Sequence, residues 1–139
     1  MTEQEVRLIL DKARLSYRVL EAKKEYLERI RQLAETVSGV DYSKEVIRGG
    51  AEKSRLAESV YAIVDYENDI EKDIETMVDC QRQADKLINL LESSLEKAVL
   101  IRRYKQDERW EDIAMDLHIT FRHATRVNKA AISHICSLA

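Results

Sequence analysis

No proline interrupts this chain of 139 residues, and its three glycines, Gly39, Gly49 and Gly50, all fall within one twelve-residue window. A chain so poor in turn residues reads as long helices interrupted once. Aromatic residues are also scarce, at 6% with a single Phe and a single Trp, which denies the chain a thick aromatic core. The two cysteines, Cys80 and Cys136, stand far apart, and neither a CxxC nor an HxxxH spacing occurs. The expectation is therefore reduced thiols and no metal centre. There is no Gly-rich phosphate loop, nucleophile elbow or Ser/His/Asp arrangement, so neither an enzyme nor a cofactor is expected. The start, MTEQEVRLIL, lacks a basic segment followed by an apolar one, and no run approaches a membrane span. These absences predict a soluble, cytoplasmic protein with no membrane partner.

What the chain has in quantity is charge, 35% of residues, with a formal net of -3. The distribution matters more than the sum. Residues 94–139 carry 8 Lys/Arg against 6 Asp/Glu, whereas residues 1–93 carry 15 against 20. From Phe121 to the last residue Arg122, Arg126 and Lys129 meet no acid at all. Any contact with phosphate is expected at this end.

Apolar residues at Val6, Leu10, Ala13, Tyr17, Leu20, Leu27, Ile30, Ala34 and Val37 follow helical spacing and predict one amphipathic helix over about 2–37. Ser38 to Gly50 reads as a loop, ending in a Gly-Gly pair unsuited to a helix. From Leu56 through Val60, Ile63, Glu67, Ile70, Ile74, Met77, Gln81, Ala84, Ile88 and Leu91 the spacing alternates four and three, a heptad seam with two polar positions. The expected domain over 1–92 is a long antiparallel helical hairpin, coiled-coil-like, with its loop at about 38–50. The same pattern also suits pairing with a second chain.

Ser93-Ser94-Leu95-Glu96 has the form of a capping box, the Ser93 hydroxyl accepting from the Glu96 amide and the Glu96 carboxylate reaching back to the Ser93 amide. A helix is expected from here to about Tyr104, opening a second domain over 93–139. Beyond it, Ile113, Ala114 and Leu117 form the inner face of a short helix. His118 and Ile119 form a turn, Thr120 an N-cap, and Ala124, Val127, Ala131, Ile132 and Ile135 the buried stripe of a second helix. The pattern predicts a helix-turn-helix whose second helix presents Arg122, His123, Thr125, Arg126 and Lys129 outward, with Arg102, Arg103 and Lys105 upstream. Trp110 is expected to pack between this module and the helix before it.

The runs Ala98 to Tyr104, Trp110 to Ala114 and Thr120 to Ile135 resemble region 4 of bacterial sigma factors. More closely, they resemble the short phage and prophage regulators of the ArpU/RinA type. The motif covers about a third of the chain. Where that family carries Ser or Thr before the Trp, this chain has Arg109, which moves the expected cap of the first helix to Asp107. At the turn, where glycine is common, stands His118, so a left-handed backbone is expected on a residue that tolerates it.

The resemblance implies an all-α fold, a long N-terminal helical hairpin followed by a sigma region 4-like helix-turn-helix. It also implies control of phage gene transcription in a bacterial host, here on double-stranded DNA in the nucleoid, while the acidic hairpin is expected either to form a homodimer or to contact RNA polymerase. By position, Arg122 and Arg126 suit guanine, Thr125 and Lys129 extend that face with Lys129 on phosphate, Phe121 suits a thymine methyl, and Thr120 with the helix N-terminus suits a backbone phosphate. Two other readings share the pattern: a DNA-packaging component of the small-terminase kind, and a module whose helix-turn-helix contacts only protein.

Overall fold

The computed structural model describes the backbone of residues 1–41 and 45–139 and the side chains outside 37–56. The described residues are helical with no strand: α1 (Glu3–Asp41), α2 (Glu45–Ile88), α3 (Ser94–Leu100), a π-helical turn (Ile101–Lys105), α4 (Trp110–Asp116) and α5 (Phe121–Leu138). None of these helices is long and apolar enough to cross a membrane.

The interruption expected over 38–50 is narrower than its glycines suggest. Backbone is helical to Asp41 and again from Glu45, through Gly49 and Gly50. Residues 42–44 lie outside the described residues. Glycine costs a helix only about 1 kcal/mol per position, and this chain has no proline to force a break. The reading of Gly-Gly as incompatible with a helix gave that cost too much weight.

Two compact units result, one of residues 1–18 with 76–139, the other of residues 19–75. In the first, Val6, Leu10 and Ala13 of α1 meet Ala84, Leu87 and Ile88 of α2, together with Leu91, Leu100, Tyr104 and Ala131, Ile132 and Ile135 of α5. Burial of large aliphatic side chains, each contributing about 1.5–3 kcal/mol, makes this the principal stabilising element of the unit. A second cluster in the same unit joins Val99, Ile113, Ala114, Ala124 and Val127, with Trp110, Leu117 and Ile119 at its edge. Ala114 is small where α5 packs on α4. The polar seam residue Gln81 donates to the carbonyl of Ala13 at 3.3 Å, which fixes how the two helices align.

Within the second unit, Lys23 pairs with Asp73 at 2.5 Å and Arg31 with Glu67 at 2.5 Å, so α1 and α2 run in opposite directions there. Tyr26 meets Tyr66 edge to face, ring centres 5.2 Å apart. Of the heptad residues in this unit, Ile70 is buried, while Val60 and Ile74 remain exposed.

The start of α3 is capped by Ser93, whose hydroxyl accepts from Glu96 N–H at 3.3 Å. The Glu96 carboxylate, almost fully buried, lies 2.7 Å from His134 Nδ1 of α5. The cap therefore forms as the sequence indicated on the serine side, and the carboxylate ties α3 to α5.

Candidate nucleic-acid interface

The face singled out by sequence lies on α5. Thr120 sits in extended backbone and accepts from His123 N–H at 3.0 Å, starting the helix where the chain turns. Four residues, 117–120, connect α4 to α5, and His118 occupies the left-handed region with φ 56. A non-glycine residue there is uncommon, and histidine is among those that accept it. The backbone reverses within those four residues because Ile119 N–H reaches the carbonyl of Ala114 at 3.0 Å.

Along α5 the helical period divides the residues cleanly. Ala124, Val127, Asn128, Ala131, Ile132 and Ile135 are buried. Phe121, Arg122, His123, Arg126 and Lys129 are exposed, with Thr125 between the two faces, its hydroxyl donating to the Arg122 carbonyl at 2.9 Å. Among the described residues no carboxylate pairs with Arg122, Arg126 or Lys129, and α5 carries no acid. Among the described residues no carboxylate competes with an anionic partner for these three cations.

The three upstream cations are arranged differently. Arg102 pairs with Asp116 at 3.0 Å and Glu108 at 3.3 Å, Arg103 donates to the Glu108 carbonyl at 3.0 Å, and Lys105 pairs with Asp85. The π-helical turn accounts for the arrangement: Gln106 N–H reaches back to Ile101 O at 3.1 Å and Glu108 N–H to Arg102 O at 2.9 Å. This wide turn folds the following loop over its own guanidinium groups. Arg103 also lies over the Trp110 ring, 4.7 Å from its centre. Burial and the neighbouring Arg14 lower its pKa, and the aromatic face offsets part of that cost. Arg102, Arg103 and Lys105 are thus held in internal contacts, while among the described residues the α5 cations pair with no carboxylate.

Asp107 does not cap α4. The N-cap is Arg109, which makes no side-chain capping bond, and Asp107 stands at φ 53 with its carboxylate turned to α1. Arg14 Nε meets one oxygen at 2.9 Å and Arg18 Nε the other at 2.6 Å. Burial raises the Asp107 pKa, but the bond from Arg18 and the charges of Arg18 and Arg14 outweigh it and bring the value below the usual carboxylate range. Sequence reasoning missed this link, since nothing local joins residues 14 and 107. It also missed Asn128, a buried amide whose oxygen accepts from the Tyr104 hydroxyl at 3.1 Å. The only local signal was a polar residue interrupting the apolar stripe of α5.

These observations define an all-helical chain whose last helix offers an acid-free, cation-bearing face above a well-packed core. Residues 15–137 match the family described as "Protein of unknown function (DUF722)", and the chain belongs to that family. No curated protein and no solved structure matches it.

Proposed function

We propose that this protein is a sequence-specific regulator of transcription that lays α5 in the major groove of double-stranded DNA. In this reading residues 110–138 are a helix-turn-helix of the sigma region 4 kind, the long paired helices are the body that carries it, and the setting is phage or prophage gene expression in a bacterial cytoplasm. The observation that carries the proposal is the α5 face: three exposed cations with no carboxylate partner among the described residues, on a helix whose opposite side is buried.

The chemistry follows from position. Arg122 and Arg126 lie one turn apart and suit bidentate contact with guanine O6 and N7, each such pair contributing roughly 1–3 kcal/mol of discrimination. Thr125 extends the base-facing side. Lys129, farther along, suits phosphate, as do Thr120 and the first amides of α5. Phe121, half-exposed beside the N-cap, suits a thymine methyl. Arg102, Arg103 and Lys105 hold the module together in this reading, each being engaged within the chain. RNA polymerase is a further partner implied by the sigma-like pattern.

Selection of bound sequences from random duplex DNA, followed by titration of the selected site in rising salt, tests the proposal. A defined sequence, with affinity falling steeply as salt rises, is the expected result. Absence of salt-dependent duplex binding at low ionic strength rejects it.

A further inference from the structure

Within the first unit, the connection from α2 to α3 and the last turns of α5 enclose a cavity of about 360 Å³. Leu91 and Leu138 give it apolar wall, while Glu92, Ser93, Glu96, His134 and Ser137 give it polar groups, and neither Lys nor Arg lines it. That volume lies in the ordinary range of small-molecule sites. We propose that the cavity binds a small aliphatic amine in its ammonium form, with the ammonium group on Glu96 and the alkyl chain against the leucines.

Two observations favour this ligand. The first is the state of Glu96. Only 9% of the residue is exposed, and its Oε1 accepts from His134 Nδ1 at 2.7 Å. A complete capping box would turn the carboxylate back to Ser93 N–H, but here it reaches α5 instead, and among the described residues Oε2 carries no hydrogen bond. Oε2 is nevertheless not sealed inside the protein. A carboxylate so far removed from water gains most from a charged donor that meets its unbonded oxygen.

The second is the balance of donors and acceptors. Ionised Glu92 and Glu96 can only accept. Because Glu96 accepts from it, His134 Nδ1 carries a proton, which leaves Nε2 of the neutral imidazole as an acceptor. Ser137 spends its O–H on the His134 carbonyl at 2.8 Å and keeps its lone pairs. Among the lining side chains, Ser93 O–H alone remains to donate, its oxygen already accepting from Glu96 N–H. Such a lining disfavours carboxylates and phosphates and suits a ligand that only donates. An ammonium group is that ligand, with three N–H donors and a positive charge. Leu138, 57% exposed, offers its alkyl chain an apolar surface to cover.

This inference goes beyond the DNA-binding proposal and does not rest on it, so its test uses the full chain without DNA. In an NMR titration at constant pH and ionic strength, butylammonium should shift the backbone amides of residues 92–96 and 134–138 and saturate in the millimolar range. Butanol lacks the charge, butyrate has the opposite one and tetramethylammonium has no N–H, so none of the three should do the same. Glu96→Gln, which keeps the size of the side chain, should weaken binding of butylammonium by about tenfold or more. Glu92→Gln, an exposed change, should weaken it by about threefold with unchanged circular dichroism. Absence of a localised, saturable shift, or an equal response to tetramethylammonium, overturns the proposal. So does a folded Glu96→Gln protein that binds butylammonium as before, and if that variant does not fold, Glu92→Gln decides by the same criterion.

Discussion

The Tyr104 hydroxyl donates to the Asn128 side-chain oxygen at 3.1 Å, joining the end of the π-helical turn to the middle of α5 inside the apolar core. Both residues are buried, so the bond anchors the helix that bears the exposed cations. Burial raises the Tyr104 pKa, and the bond to Asn128 offsets it only in part. In a spectrophotometric titration of the six tyrosines, one should ionise after the rest, and Tyr104→Phe should remove that late step. The same variant leaves the Asn128 amide without its partner and should cost about 1–3 kcal/mol in chemical denaturation.

Asp107 makes a second prediction, in acid. Its pKa is lowered in the folded chain, so its contribution is present above the unfolded value of about 3.9 and is lost as pH falls through the lower folded value. Unfolding followed from pH 7 to pH 2, with about 0.15 M salt throughout, should show stability falling below about pH 4. Asp107→Asn should lower stability at neutral pH and flatten that acid limb.

The two groups of cations should behave differently toward DNA. Arg126→Ala should weaken binding to the selected site by about tenfold or more and relax preference at one base position. Lys129→Ala should weaken binding to all sequences alike and reduce the salt slope by about one unit. Arg102→Ala removes contacts to Glu108 and Asp116, so its effect should appear in the melting temperature, with the salt slope intact.

Thr120 tests the entry to α5. Thr120→Ala removes the acceptor for His123 N–H and should cost about 1 kcal/mol, while Thr120→Ser should be nearly neutral. Thermal unfolding of the three proteins at one concentration measures the difference.

The elements written in short-range pattern were readable from sequence. Thr120 caps α5, Ser93 caps α3, His118 takes the left-handed turn, and Ala124, Val127, Ala131, Ile132 and Ile135 are buried, because each depends on residues three or four positions away. The outward side of α5 followed from the same period. What escaped was long-range: Arg14 and Arg18 reaching Asp107, Glu96 turning to His134, and Lys105 meeting Asp85. No periodicity encodes those partners, so cations counted together by sequence separate in space into engaged and unengaged groups. The span around Gly49 and Gly50 shows the opposite weakness, a strong local signal that a modest propensity penalty does not sustain.

The far half of α5 is buried with the first turns of α1, where Ser133 donates to Glu3 at 2.7 Å. The near half carries the exposed cations on the same continuous helix. A helix held in this way meets its partner already ordered, with little conformational entropy left to lose. Association should then lack the large heat-capacity change of a segment that folds as it binds. In the proposed DNA-binding role, its selectivity should depend on how well the duplex accommodates a rigid surface.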